Sequence, residues 1–364
     1  MSLPTQEQEH KQESPRASTQ HASRSSRLGF GTGLGARLSL AIALGLAMAS
    51  LAVASSGDRQ PQYIECVKDC DKDICQSADV TSFTPEQLLE HQLDLPLRLT
   101  HWTCLDNCRY RCMQSITEGA LLENLPVHQY HGKWPFYRLW GMQEPASVLF
   151  SILNGYMHVL AWPKLKRAIP QDYYMRPFYL GYAIIGMNTW LWSAVYHARD
   201  WPSTEKLDYF SAGTAITYGL FYTVIRITRM VQIRSQLMWA MVCLIPLLLH
   251  ISYLGFVHFD YGYNMAAMAT VGAIHNLFWI GWSIANWRER PYAWEPSVSG
   301  VLITAAMCLE ILDFAPLWGI LDAHSLWHAA TIPLVPIWYR FLLKDTEWEV
   351  RNKKGVQRPS SHRD

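Results

Sequence analysis

His324 and His328 stand four residues apart in DAHSLWH, residues 322–328, so on a helix both imidazoles share one face. A third histidine, His197, lies near the end of NTWLWSAVYHARDW, with Ser193 one helical turn before it. Asp208, in STEKLDYFSAG, follows His197 by eleven residues. Two imidazoles from one helix and one from another make a zinc-type donor set, because zinc takes neutral ring nitrogens and a catalytic site keeps a fourth position for water. Metal-bound water ionises near neutral pH and becomes a nucleophile. Asp208 would orient that water or act as acid and base, and Ser193 would donate to a developing oxyanion. Asp322 is a candidate to hold an imidazole N–H. Each residue also has a bland reading. An HxxxH pair on an apolar helix can be two satisfied polar side chains. Ser193 can be a packing residue or a back-bond to the preceding turn. Asp208 can be a first-turn carboxylate that favours the helix dipole.

The elements that position these groups read as membrane helices. The chain has 364 residues, half of them hydrophobic, with 16 Trp and 18 Tyr and a net charge of +1. That balance gives no reason to expect nucleic acid as a partner. The polar residues concentrate before residue 144 and the apolar ones between 144 and 343. Seven apolar stretches, 145–162, 177–197, 207–226, 236–256, 263–285, 297–318 and 324–343, each approach the ~20 residues that a bilayer requires. The loops between them alternate in charge. Lys164, Lys166, Arg167 and Arg176 mark one loop, Arg229 and Arg234 the next, and Arg288 and Arg290 a third, and the segment after 343 is also basic. The intervening loops carry only Arg199 and Lys206. Basic loops face the cytosol, which predicts a lumen-facing N-terminal region and a cytosolic tail over 344–364. It also predicts one luminal depth for His197, Asp208, His324 and His328, with Ser193 a turn deeper. Ionisable groups inside a membrane domain are costly and suggest a site. His258 and Asp260, also near that surface, are candidates to support the cluster, as are His250, Glu310 and Asp313. His158 and His275 fall inside the first and fifth stretches and read as packing residues.

The N-terminal third agrees with a luminal placement. Residues 1–26 read as a disordered extension. Residues 27–54 read as a secretory signal, with an apolar core and the small-residue pattern Ala52-Val53-Ala54 before a cut near Ala54; an uncleaved anchor is the alternative. Six of the eight cysteines, Cys66, Cys70, Cys75, Cys104, Cys108 and Cys112, lie in the region 55–144. Behind a signal they read as three disulfides, with a zinc cluster as the competing reading. Cys104, Cys108 and Cys112 form a stripe at i, i+4 and i+8, and Cys66, Cys70 and Cys75 nearly repeat it. Two such stripes facing antiparallel would pair 66–112, 70–108 and 75–104, one of fifteen pairings open to six cysteines. The fold class expected is therefore all-α, a seven-transmembrane helix bundle over 145–343 with a small disulfide-rich luminal N-terminal domain.

The order SxxxH, then Asp, then HxxxH on the last stretch resembles the CREST superfamily of seven-span hydrolases. Within it, the chain resembles the family of post-GPI-attachment-to-proteins factor three and its fungal relatives. The stretches that carry the likeness are ECVKDC, CRYRCM, HGKWPFYRLWGMQEPASVLFSILNGYMH, WLWSAVYHARDWPSTEKLDYFSA, FDYGYNM and LEILDFAPLWGILDAHSLWHAATIP. The resemblance implies GPI-anchor lipid remodelling, with hydrolysis of the sn-2 acyl ester of the phosphatidylinositol on GPI-anchored proteins, a phospholipase A2-type outcome. It implies Zn2+ on His197, His324 and His328, with Asp208 handling water and Ser193 assisting. It implies a multi-pass membrane protein of the endoplasmic reticulum, with the Golgi as the alternative. Two other readings stay open: a non-enzymatic chaperone or cargo adaptor for GPI-anchored proteins, and an adiponectin-type receptor, against which the signal and the cysteine-rich region argue.

Overall fold

The two cysteine stripes fold as helices. Helix α1, Pro61–Cys70, begins with proline in its first turn and runs on as a π-helical turn, Asp71–Cys75. After a short α2, Leu95–Leu99, helix α3 spans Cys104–Leu122. Its start is fixed by a capping box in which Thr103 accepts from the Asp106 N–H and Asp106 accepts from the Thr103 N–H, satisfying two otherwise orphaned donors. Helices α1 and α3 are stapled by Cys66–Cys112, Cys70–Cys108 and Cys75–Cys104, the pairing of two antiparallel stripes. No thiolate is left among the six to hold a metal. Tyr63, Cys112 and Tyr130 form a small core there. The computed structural model describes residues 55–77, 83–85 and 92–352, within one unit spanning Met48–Asp364. The 1–26 extension, the 27–54 signal and residues 353–364 of the tail lie outside the described residues.

The rest of the chain is also helical. It comprises α4 (Pro145–Ala168), α5 (Arg176–Ala198), α6 (Pro202–Thr228), α7 (Ile233–Ser252), α8 (Tyr261–Asn286), α9 (Glu295–Ile311), α10 (Ala323–Thr331) and α11 (Leu334–Arg351). Proline opens α4, α5, α6 and α9, where its missing N–H and fixed φ cost nothing. No extended strand occurs among the described residues, only isolated bridges. Helix α7 with its π-helical extension, Ile233–Val257, is long and apolar enough to cross a membrane by length and composition. Large apolar side chains face outward on it (Leu237, Met241, Leu248), and also on α4 (Leu149, Ile152, Val159) and α8 (Ile274, Leu277, Ile284). Polar groups point inward, among them Ser147, Ser151, Asn154 and His158 on α4.

Two of the apolar stretches depart from a single straight helix. The sixth, 297–318, is helical only to Ile311. Beyond it the chain turns through Gly319, whose φ of +68° suits glycine. A Cβ at Gly319 would lie 2.3 Å from the Tyr137 ring, and its carbonyl accepts from the Tyr137 N–H at 2.8 Å. Asp313 in the same loop accepts from Trp134 Nε1 at 2.6 Å and Gln129 Nε2 at 3.1 Å. This loop therefore docks on the N-terminal region. The seventh stretch, 324–343, is broken into α10 and α11 between Thr331 and Leu334. Pro333 and Pro336 lack the N–H groups that would continue the ladder.

The half of the bundle away from the histidines is a core of Leu165, Tyr174, Tyr179, Tyr222, Trp279 and Phe341. A buried ion network closes it. Arg226 pairs with Asp345 at 2.7 Å and with Glu349 at 3.1 Å, and Arg290 pairs with Asp345 at 2.8 Å and with Glu349 at 3.2 Å. Arg290, read from sequence as a loop charge, is thus a buried structural residue. The expected tail after 343 begins as the last two turns of α11, because its acids are that network's partners.

Candidate metal centre

Four elements meet at the histidines. Helix α5 brings His197 on its last turn and Ser193 one turn earlier, both buried. Its C-terminal end is tied to the start of α4 by main-chain bonds, Glu144 N–H to His197 O at 3.1 Å and Gln143 N–H to Ala198 O at 3.0 Å. Helix α10 brings His324 and His328. Its start is set by Asp322, whose carboxylate accepts from the Ser325 N–H at 2.8 Å while Ser325 Oγ accepts from the Asp322 N–H at 3.0 Å. The break after Thr331 frees the His328 carbonyl, because Ile332 N–H bonds Ala329 O instead. Asn154 Nδ2 from α4 and Thr331 Oγ1 both donate to that carbonyl at 2.8 Å. The second histidine is thus fixed by its backbone as well as by its ring.

The three rings point one nitrogen each at a common space. His324 Nε2 lies 3.2 Å from His197 Nε2 and 2.9 Å from His328 Nε2, and the three ligand atoms all lie within 4.8 Å of one another. The opposite nitrogens are engaged elsewhere. His197 Nδ1 meets Glu144 Oε2 at 2.8 Å, and His324 Nδ1 meets Glu310 Oε2 at 2.7 Å. His328 Nδ1 faces Ser151 Oγ at 3.5 Å, and Ser151 Oγ lies 3.0 Å from Ser193 Oγ. Carboxylates accept only, so Nδ1 of His197 and of His324 must carry the proton. When these rings are neutral, Nε2 of each presents a bare lone pair.

That arrangement fits a metal. Converging lone pairs repel unless a cation or a shared proton lies between them. A carboxylate on the far side of a ligand imidazole is the usual support of a metal site. Tetrahedral ligands at the ~2.0–2.1 Å of a zinc–imidazole bond stand about 3.4 Å apart, close to the separations seen. His197 and His328 are buried, while the His324 side chain keeps 35 % of its accessibility, so the open side of the centre is at His324.

Glu144 is itself held from behind. Lys133 Nζ contacts Glu144 Oε1 and lies 3.3 Å from Asp200 Oδ2. Burial alone would raise the Glu144 pKa, but Lys133 and then His197 outweigh it and hold the carboxyl well below the usual carboxylate range. Burial likewise opposes the Lys133 ammonium, and Glu144 and Asp200 reverse that effect and keep it protonated.

The sequence-derived candidates separate in the structure. His197, His324 and His328 come together. Asp208, on the first turns of α6, lies within electrostatic reach of His197 and His324. Ser193 reaches the centre through Ser151, on the Nδ1 side of His328. Asp322 is the N-cap of α10, and the imidazole partners are Glu144 and Glu310. Asp260 caps α8, accepting from the Tyr263 N–H at 2.9 Å, and His258 is exposed at the end of the π-helical turn after α7. His250 bonds Asn264 Oδ1 at 3.0 Å, Asp313 holds the 312–322 loop, and His158 bonds the Tyr339 hydroxyl at 2.7 Å. Glu144, Lys133 and Ser151 were not found from spacing. Glu144 was accessible in principle: it directly precedes the first apolar stretch, at the depth that singled out the histidines.

Fold and site together define an all-helical protein with a disulfide-stapled N-terminal region and a carboxylate-supported three-histidine centre. The model of the Per1-like family matches residues 94–346, and the chain belongs to that family. Among its relatives, GPI-specific phospholipase A2-like PGAP3 of Danio rerio is 38 % identical over 295 residues, 81 % of this chain and 92 % of the relative. Protein PER1 homolog of Schizosaccharomyces pombe is 38 % identical over 303 residues, 82 % and 89 % of the two chains. GPI-specific phospholipase A2-like PGAP3 of Homo sapiens is 35 % identical over 297 residues, 82 % and 91 %. No solved structure matches the chain.

Proposed function

We propose that this chain remodels the lipid of GPI-anchored proteins by metal-dependent hydrolysis of the sn-2 acyl ester of their phosphatidylinositol. The observation that carries this reading is the convergence of three imidazole nitrogens with a glutamate behind two of the rings. The names of the relatives point to the same lipid. The setting is a seven-span membrane body over 145–343 beneath a luminal domain over 55–144, with a cytosolic C-terminus, in the endoplasmic reticulum or, as the alternative, the Golgi. Outward apolar faces on several helices, an inward polar lining, disulfides and the alternating loop charge support that topology.

His197, His324 and His328 would hold Zn2+. When bound, the ion supplies a Lewis acid that polarises the ester carbonyl and acidifies water. Glu144 and Glu310 hold Nδ1 protonated on their histidines and so keep Nε2 free for binding. Asp208 accepts a proton from the attacking water and returns it to the departing glycerol oxygen. The acyl C–O bond breaks, and water supplies the new C–O bond and both protons, giving a free fatty acid and a lyso-lipid. Ser151 and Ser193 orient the His328 ring. Substrate enters from the bilayer side at His324.

The test is His328→Ala in cells, with lipid analysis of purified GPI-anchored proteins and metal analysis of the purified variant. The proposal expects retained sn-2 chains and lost metal at normal protein level. Normal remodelling by that variant would reject it. Absence of stoichiometric metal from gently purified unsubstituted protein would favour the adaptor reading instead.

A further inference from the structure

Beside the histidine centre, a cavity of about 390 Å³ opens between the disulfide-stapled region and the start of α6. Glu144 and Lys133 form one wall of it, so the cavity is one hydrogen bond from His197. The other walls combine guanidinium groups with aromatic rings. Arg138 lies over Tyr110 at 4.0 Å and over Trp102 at 4.7 Å. Arg199 lies over Trp102 at 4.3 Å and over Trp201 at 5.3 Å. Trp102 is held in place by its own donation to the Gly141 carbonyl at 2.8 Å.

The charges around this cavity are not balanced. Lys133 is neutralised by Glu144 and Asp200, and Arg109 and Arg199 share Asp106. Arg138 makes no close ion pair among the described residues, and Asp94 acts on it only from beyond ion-pair distance. It donates to the amide oxygen of Asn107 and otherwise stacks. Its Nη1 and the Nε of Arg199 are buried donors without a hydrogen-bond partner. A desolvated donor left unpaired is costly, and a planar guanidinium fixed between rings is pre-organised for a phosphate. The Tyr110 phenol and the exposed Trp201 indole offer faces that suit the C–H face of a sugar or cyclitol, and the three carboxylates of the lining, Asp106, Glu144 and Asp200, are each paired with a cation.

We infer that this cavity is the headgroup subsite of the enzyme, and that Arg138 with Arg199 binds a phosphodiester carried on a polyol, with Tyr110 and the exposed Trp201 against the ring while the buried Trp102 holds the two guanidinium groups. This rests on the hydrolase reading above, and it names which part of the substrate the N-terminal region recognises. A glycosylated phosphatidylinositol has that chemistry in two places, the phosphodiester on inositol and any phosphoethanolamine on its sugars. A subsite beside the histidine centre would explain why a lipid hydrolase carries a folded polar domain.

Two acyl-free phosphodiester probes test it by calorimetry on the full-length protein in detergent micelles: glucosaminyl-inositol glycerophosphate and mannose bearing phosphoethanolamine. One of them binds, and the same sugar without phosphate binds at least about tenfold more weakly. Arg138→Gln and Arg138→Lys both weaken binding about tenfold, because lysine keeps charge but not the stacked fork. Both variants are compared at unchanged melting temperature and with the three disulfides intact. Which probe binds identifies which phosphodiester is read. Binding of neither probe by the unsubstituted protein overturns the inference, and so does binding insensitive to phosphate. The assay reads no turnover, so a failed hydrolase reading would show as normal lipid remodelling in His328→Ala while probe binding stands.

Discussion

Glu144 Oε2 lies 2.8 Å from His197 Nδ1, and the same residue's N–H bonds the His197 carbonyl at 3.1 Å. One residue at the head of α4 thus fixes both the ring and the backbone of a histidine on α5. Glu310 does the ring's share of this for His324. The third ring, His328, has hydroxyls behind it instead, and its carbonyl is held by Asn154 and Thr331. Two charged supports and one neutral support leave the Nε2 atoms as the free ends of three anchored rings.

Glu144→Gln removes the negative charge but keeps an acceptor, and it leaves Lys133 without its nearest counter-ion. Loss of such a support costs roughly 10–100-fold in metal affinity. The expected outcome is protein that is purified with a fraction of the unsubstituted metal content and regains activity in excess zinc. Metal analysis before and after zinc addition checks it. Full metal retention would show that Glu144 serves only to dock the N-terminal region.

Asp208→Asn and Ser193→Ala should differ in kind. If Asp208 moves the proton, Asn at that position keeps the metal and lowers turnover by about 10²–10⁴-fold. Ser193 acts through Ser151 on the far side of His328, so Ser193→Ala should lower metal retention and turnover together, and mildly. A large loss of turnover at full metal occupancy in Ser193→Ala would instead assign it to the oxyanion.

Much of this was legible in the sequence. The HxxxH spacing and the alternating loop charge selected His197, His324 and His328 from fourteen histidines, because a helix translates sequence position into position along its axis. The cysteine stripes carried their own geometry because residues at i, i+4 and i+8 share one helix face. What stayed hidden depended on tertiary approach. Glu144 lies 53 residues from His197, Ser151 lies 177 residues from His328, and no period links either pair. Asp322 was read as an imidazole partner because it is near in sequence, but a carboxylate directly before a helix competes for that helix's own N–H groups and here becomes its cap. The 324–343 stretch looked continuous because apolar composition outweighs two prolines in a hydropathy window, whereas Pro333 and Pro336 each remove an N–H from the ladder within one turn and here divide it, although single prolines, Pro163 and Pro246, sit inside α4 and α7.

The Cys66–Cys112 bridge closes a separation of 46 residues. Because Cys70–Cys108 is nested inside it, the loop this bridge adds is only about ten residues, for which chain-entropy arguments give about 2–3 kcal/mol, within the 2–5 kcal/mol that loss of a native disulfide costs. Replacing both residues by serine should destabilise the N-terminal region while Cys70–Cys108 and Cys75–Cys104 still form. Limited proteolysis should then cut between α1 and α3 faster than in the unsubstituted protein, with α4 to α11 protected. Equal cleavage rates would mean that the two remaining disulfides and the Tyr63 and Tyr130 packing hold α1 in place without Cys66–Cys112.

Asp345 has 0 % side-chain exposure and pairs with Arg226 and Arg290, which are themselves buried. It also accepts from the Tyr292 hydroxyl at 3.0 Å. Asp345→Ala leaves two guanidinium groups with Glu349 as their shared acid, and removing one partner of a buried pair costs about 3–5 kcal/mol. Because the network lies on α6, α11 and the segment before α9, away from the histidines, the loss should appear as a lower melting temperature and reduced abundance rather than as lost metal in the folded fraction. A companion change of Arg226→Met with Asp345→Leu removes one charge of each sign and so should recover part of the stability, since buried pairs can often be replaced by apolar side chains of similar volume. If the double variant melts lower than Asp345→Ala, the network contributes more than charge neutralisation, and the Tyr292 and Glu349 bonds become its main terms.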